Sequence, residues 1–133
     1  MIEPARIHVR FSDLDVLGHV NNSIYLSYFE IARVHYFAHM LGTEWDWKKD
    51  GVILVKNEVE YLKPVLLHHQ PFVQVFLENI GTKSFTLSYE LKVDGALCSR
   101  GSSVLVCFDS SKNETIPIPE VMSKALLQLK KEQ

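Results

Sequence analysis

The sequence predicts an α+β fold in which a curved antiparallel β-sheet wraps a long central helix. Three observations carry this reading. Residues 22–41 read as one helix that is apolar on nearly every side. Four long β-type runs follow it, at about 52–63, 72–80, 83–94 and 96–108, joined by short turns. The chain has 133 residues, the size of one domain (1–133), and 47% of them are hydrophobic, so helix and strands must share a core. A helix of about 20 residues is about 30 Å long. If it is apolar all round it must be buried, and only strands that curl around it can supply the cover.

In chain order, 6–12 (RIHVRFS) alternates and predicts a first strand. The helix has no internal Gly or Pro and is stopped by Gly42. Tyr25, Phe29, Ala32 and Tyr36 make one apolar stripe, and Ile24, Tyr28 and Ile31 a second. Ser23, Ser27 and Glu30 form its polar edge, with Glu30 and Arg33 spaced for an ion pair. A loop carrying Trp45 and Trp47 leads to the strands. In the third β run, Phe85, Leu87, Tyr89, Leu91 and Val93 alternate with polar residues, so one face is wet. Asp94-Gly95 is a strong hairpin signal and Gly81-Thr82 a weaker one. Pro117 and Pro119 introduce a C-terminal helix with Met122, Ala125, Leu126 and Leu129 on one side, and Lys130 and Lys131 at its cation-favouring end. Trp45, Trp47 and the 104–108 run leave one sheet face partly apolar, which predicts a homodimer or homotetramer.

Composition excludes several functions. Basic and acidic side chains number 14 and 16, a net charge of −2, so the basic surface that nucleic-acid binding requires is missing. MIEPARIHVR lacks the basic and apolar regions of a secretory address, and no run of about 18 apolar residues predicts a membrane span. Cys98 and Cys107 stand nine positions apart, on opposite faces of a regular strand, and as free thiols they suit a reducing cytoplasm. His35 and His39 have ligand spacing, but Tyr36 stands where a metalloprotease motif has Glu, and no third ligand is apparent, so no metal is expected. His68-His69, near Pro71, reads as an exposed turn. There is neither a Gly-rich phosphate loop nor a Ser nucleophile elbow.

One constellation carries chemistry. Phe11-Ser12-Asp13-Leu14-Asp15-Val16-Leu17-Gly18-His19-Val20-Asn21-Asn22 joins the first strand to the helix. A helix start offers unpaired N–H groups and a positive dipole end, where developing negative charge is stabilised. Gly18 removes a Cβ that would hold substrate off the backbone. Asp15 is a candidate nucleophile or general base. The plain alternative is that these Asx residues only cap the helix, as Asp13 or Asn22 could, and that His19 is a loop residue.

SDLDVLGHVNNSIYLSYFEIAR resembles the signature of the hotdog-fold acyl-CoA thioesterases, the 4-hydroxybenzoyl-CoA thioesterase-like group, with the HVNN form of its long-chain members. Tyr61-Leu62-Lys63-Pro64 and Gly81-Thr82-Lys83-Ser84-Phe85 are also similar to family segments. The resemblance implies a catalytic carboxylate at Asp15 and a carbonyl-polarising N–H at Asn22. In the implied thioester hydrolysis His19 would orient water or the carboxylate, and Gly18 would admit substrate to the backbone. The Tyr25, Phe29 and Tyr36 stripe reads as core, with one end available to line an acyl tunnel. Lys83, with Ser84, falls where some members set a basic residue on the CoA phosphates. The resemblance also implies acyl-CoA as substrate, no cofactor, and sites shared across a dimer. Glu30 matches a catalytic Glu of another branch, yet with Arg33 it reads more simply as an ion pair. The rival functions are a non-catalytic acyl-CoA-binding module and an enoyl-CoA hydratase or dehydratase, whose D-x-N-P-x-H pattern is absent.

Overall fold

The computed structural model describes residues 1–131. Strand β1 (Ala5–Arg6) and a 3-10 turn (Phe11–Asp13) precede helix α1 (Ile24–Leu41). Then come β2 (Gly51–Tyr61), β3 (Phe72–Ile80), β4 (Ser84–Val93), β5 (Ala96–Asp109), β6 (Glu114–Thr115) and helix α2 (Glu120–Leu127). The strands form one curved antiparallel sheet in the order β1-β3-β4-β5-β2, with β6 on β5. The class is α+β, as expected.

The four long runs fall within about two residues of their expected bounds. In β4, Phe85, Leu87, Tyr89, Leu91 and Val93 are all buried and their neighbours half-buried. Asp94 (φ 50°) and Gly95 (φ 81°) are both left-handed, as a two-residue hairpin turn between right-twisted strands requires. The core is keyed by Phe29 of α1, which stacks on Tyr89 at 4.7 Å between ring centroids. Gly101 makes this possible. A Cβ there would stand 2.8 Å from the Phe29 ring and 2.6 Å from the Glu58 carbonyl oxygen.

Four expectations are corrected. First, 6–12 is not one strand, since only Ala5 and Arg6 join the ladder with β3. The Asp13 carboxylate accepts the Arg10 N–H at 3.0 Å and draws the chain into the 3-10 turn, a local bond that competes with strand pairing. Second, α1 begins at Ile24, because Asn21 Oδ1 takes the Ser23 N–H (3.0 Å) and hydroxyl (2.9 Å). It is also not buried all round. Tyr25, Tyr28, Phe29, Ala32, Tyr36 and Phe37 face the core, but Leu26, Ile31 and Val34 are exposed. Third, α2 ends at Leu127, so Lys130 and Lys131 are not its last turn. Met122, Leu126 and Leu129 are buried as expected, and the chain then pairs with β3 through the Leu77 N–H and Leu129 carbonyl (2.9 Å). Fourth, Cys98 and Cys107 are free, as expected, but both are buried. A bulge in β5 between Leu97 and Ser99 breaks the alternation on which opposite faces depended. Burial pushes the Cys107 thiol up to about 11.

Arg33 is buried with its charge shared. Its guanidinium donates to the Tyr89 hydroxyl (3.1 Å) and Ser103 Oγ (3.4 Å) and lies 3.6 Å from Glu30, the expected pair. His35 and His39 are occupied with the main-chain oxygens of Glu3 (2.9 Å) and His35 (3.0 Å). Among the described residues no three His, Cys, Asp or Glu side chains gather into a metal-binding group. No described helix is long and apolar enough to cross a membrane.

Candidate active site

The two acids of the Asp13-Leu14-Asp15 run have opposite surroundings. Asp13 is buried and accepts the Tyr28 hydroxyl at 2.6 Å, the Arg10 N–H at 3.0 Å and the Arg10 guanidinium at 3.0 Å. Burial pushes its carboxyl up, but the Tyr28 and Arg10 hydrogen bonds, with the Arg10 charge, outweigh that and hold it below the usual value. Burial, together with the same contact, drives the Tyr28 hydroxyl upward. Asp13 therefore anchors the loop.

Asp15 stands in the loop itself. Leu14 and Val20 bridge at its base, and the Asp15 N–H donates to the His19 carbonyl at 2.8 Å. Gly18 turns the loop at φ +77°, a left-handed conformation that costs other residues. A Cβ at Gly18 would meet no protein atom within 4 Å, so backbone conformation rather than crowding demands glycine there. Asp15 Oδ1 accepts the N–H groups of Leu17 (2.9 Å) and His19 (3.2 Å). This fixes the carboxylate plane and leaves Oδ2 without a donor from the described residues.

Asn22 lies at the entry to α1. The Asn21 N–H is taken by the Asp13 carbonyl (2.8 Å), and the Ser23 N–H by Asn21 Oδ1. The Asn22 N–H has no acceptor among the described residues, while its carbonyl receives the Tyr61 hydroxyl at 2.9 Å. A free N–H at the positive end of a helix suits an oxyanion.

The opposite wall comes from the chain leaving β2. Pro64 cannot donate to a ladder. The regular ladder with β5 ends at Tyr61, and the Leu62 and Lys63 N–H groups make a last contact with the Cys98 carbonyl. The chain then crosses to the Asp15 loop, where the Val20 N–H donates to the Val65 carbonyl at 2.8 Å. The result is a cavity of about 220 Å³ that gathers Asp15, His19, Asn22 and Tyr25 with Tyr61 and Lys63. Tyr25 is buried at its base, edge-on to Tyr61 at 5.0 Å, and burial pushes its hydroxyl up. Three larger hollows, about 740 Å³ over the sheet, about 620 Å³ between α1 and β2 and about 360 Å³ beside the Asp94-Gly95 turn, contain no comparable pairing of a half-free carboxylate with a free helix N–H.

Of the expected site residues, Asp15, His19, Asn22 and Tyr25 line the pocket together, while Gly18 turns the loop that holds Asp15 and does not line it. Lys83 and Ser84 lie apart from it. Ser84 pairs with Val106 and Tyr61 with Ser99, so they are separated by seven residues of β5, about 23 Å of strand. Lys83 Nζ instead reaches Thr115 Oγ1 at 3.2 Å. Tyr61 and Lys63, marked in the sequence only through the Tyr61-Leu62-Lys63-Pro64 segment and not among the expected site residues, line the same pocket. The signal that could have found them is Pro64, which forces the chain off the strand beside the helix entry.

A family model described as the thioesterase-like superfamily matches residues 9–126. The long-chain acyl-CoA thioesterase FadM of Escherichia coli is 26% identical over 129 residues, 95% of this chain and 98% of that protein. A thioesterase from Thermus thermophilus, solved with coenzyme A and zinc, superposes with a TM-score of 0.83 at 34% identity, covering 98% of this chain and 96% of that one. A predicted thioesterase from Bacillus stearothermophilus superposes with a TM-score of 0.87 at 25% identity, over 98% of both chains. The curved sheet with two helices is thus shared with hotdog thioesterases. The family match begins ahead of the Asp15 loop and ends within α2, so it spans every element that builds the pocket, and the chain belongs to the thioesterase-like superfamily.

Proposed function

We propose that this protein hydrolyses acyl-CoA thioesters. The observation that carries the reading is the pairing, in one pocket, of the half-free Asp15 carboxylate with the unpaired Asn22 N–H. The thioester carbonyl oxygen takes the Asn22 N–H, and the positive end of α1 stabilises the tetrahedral oxyanion. Asp15 Oδ2 then attacks the carbonyl carbon and displaces the thiolate, leaving a mixed anhydride that water cleaves to free acid and regenerated Asp15. Alternatively, it takes a proton from a water that attacks directly. A thiol leaving group has a pKa of about 8.5, so its departure as thiolate demands no strong acid. One carboxylate and one oxyanion donor therefore suffice. His19 contributes through its main-chain N–H, which orients Asp15, Gly18 turns the loop that presents that carboxylate, and Tyr25 shapes the acyl side.

The working unit in this reading is a homodimer of one-domain chains, the building block of any homotetramer. The outer edge of β2 is unpaired, with Ile53, Leu54 and Val55 exposed, and Leu26, Ile31 and Val34 are exposed on α1. A long apolar edge invites a second copy. Two β2 strands paired antiparallel would set the partner's Gly51 end beside this chain's Tyr61 end. Lys83 and Ser84 lie at the Gly51 end of the sheet, since Gly51 pairs with Phe108 and Ser84 with Val106. Each chain would then offer Lys83 to the CoA phosphates of the other chain's site, which accounts for its distance from Asp15. The two unbridged thiols favour the cytoplasm.

Purified protein should release thiol from a panel of aliphatic and aromatic acyl-CoA substrates. Binding of acyl-CoA without turnover at any chain length would instead favour a binding module. A single turnover in ¹⁸O-water tests for attack by Asp15, because label in the Asp15 carboxylate requires an anhydride that water opens at the Asp15 carbonyl.

A further inference from the structure

The pocket wall facing Asp15 is a loop between β2 and β3, and its hold on the site can be traced bond by bond. The Leu62 and Lys63 N–H groups both donate to the Cys98 carbonyl, at 2.9 and 3.0 Å. Val65, fully buried, accepts the Val20 N–H. Leu66 bridges to His19, the residue whose own N–H holds Asp15 Oδ1. Past Leu66 the chain turns, and His69 closes that turn twice. The His69 N–H donates to the Leu66 carbonyl at 3.1 Å, and the Leu66 N–H donates to His69 Nδ1 at 2.9 Å. The second bond needs a bare Nδ1, so the ring must be neutral with its proton on Nε2.

We infer that His69 is a positioning residue for the hydrolysis: its neutral ring clamps Leu66, and through Leu66 the wall of residues 62–66, against the Asp15 loop. The inference rests on reading the Asp15 pocket as the hydrolytic site. Protonation of Nδ1 turns the acceptor into a donor facing the Leu66 N–H, leaves that N–H unpaired and releases one end of the wall. Several titratable groups share this side of the wall. The His68 ring lies 4.5 Å away by centroids, His19 stands across the bridge, and Lys63 is on the same wall. Arg6 of β1 donates to the neighbouring Gln70 at 3.0 Å, and Asp15 is joined to His19 by its own N–H at 2.8 Å. His69 thus couples the charge state of an imidazole to the geometry of a carboxylate it does not touch.

Asparagine places an oxygen near the position of Nδ1 and does not titrate, so His69→Asn and His69→Leu separate the clamp from the bulk of the side chain. The Leu66 amide is followed by hydrogen exchange, corrected for intrinsic rate, at about pH 8 and about pH 5.5, which span most of the imidazole range. In the wild type, Leu66 protection should fall about tenfold at the lower pH, the scale of one hydrogen bond whose donor is left unpaired. His69→Leu should show the unprotected value at both pH values and lose about five- to tenfold in kcat/KM at pH 8. His69→Asn should restore both readouts relative to His69→Leu and abolish the pH dependence of protection. A wild-type-like pH change in His69→Asn, or wild-type protection in His69→Leu, overturns the inference. Exchange is read without substrate, so absence of hydrolysis in the wild type overturns the proposed function separately.

Discussion

Asp13 and Asp15 stand two positions apart in the sequence and perform unrelated tasks. Both are visible in the sequence as acids ahead of a helix, but their division of labour follows from contacts with residues further along the chain. Tyr28, in the second turn of the helix, reaches back to Asp13, and the His19 N–H fixes one oxygen of Asp15. Because the Asp13 carboxyl is held below its usual value in the folded state, it adds stability at neutral pH. That stability is fully present above its unfolded pKa of about 3.9 and is lost as pH falls through the folded value. Asp13→Asn should therefore cost about 2 kcal/mol at pH 7, the scale of hydrogen bonds to a charged group, with exposed Arg10 adding little. Thermal melts should show a flatter loss of stability below about pH 4 than in the wild type. An unchanged acid limb would contradict the role given to Asp13. Tyr61 and Lys63 show the complementary limit of the sequence. Their motif is legible, but their place in the pocket depends on a chain crossing that only packing reveals.

Among the elements, the long strands are legible because a period of two survives in them with little interruption. The hairpin at Asp94-Gly95 carries its own conformational demand. The first strand misleads because RIHVRFS has the alternation of a strand, and Ile7 and Val9 are indeed buried, yet the Asp13 side chain captures the backbone before a ladder can extend. Helix α1 misleads in a different way. Its apolar residues on every side are real, but Leu26, Ile31 and Val34 face outward from one chain rather than into its core. The contact of α1 with the sheet depends on the flatness of β5 at Gly101, where Phe29 and the Glu58 carbonyl both approach. Gly101→Ala should destabilise by about 1–3 kcal/mol through overpacking, measured by denaturant midpoint. A wild-type midpoint would show that Phe29 does not need that space.

At the scale of the whole molecule, two surfaces remain open in the single chain: the apolar outer face of α1 and the edge of β2. In the proposed homodimer a second copy would cover both, and would also account for the distance of Lys83 from Asp15. Val34→Lys with Val55→Lys places charges on two side chains that are exposed in the single chain, so folding should persist. Sedimentation should shift from dimer to monomer, and hydrolysis should fall at least about tenfold, because a monomer lacks the partner's contribution to its site. A monomer with wild-type turnover would show that the site is complete in one chain. The central claim is that Asp15, held half-free across from the Asn22 N–H, carries the chemistry. Its most direct test compares thiol release from an acyl-CoA by the wild type and by Asp15→Asn, with substrate binding followed in parallel by calorimetry. The predicted result is retained binding with turnover reduced at least about 100-fold, the scale of one essential acid–base group. Turnover in Asp15→Asn equal to that of the wild type would contradict it.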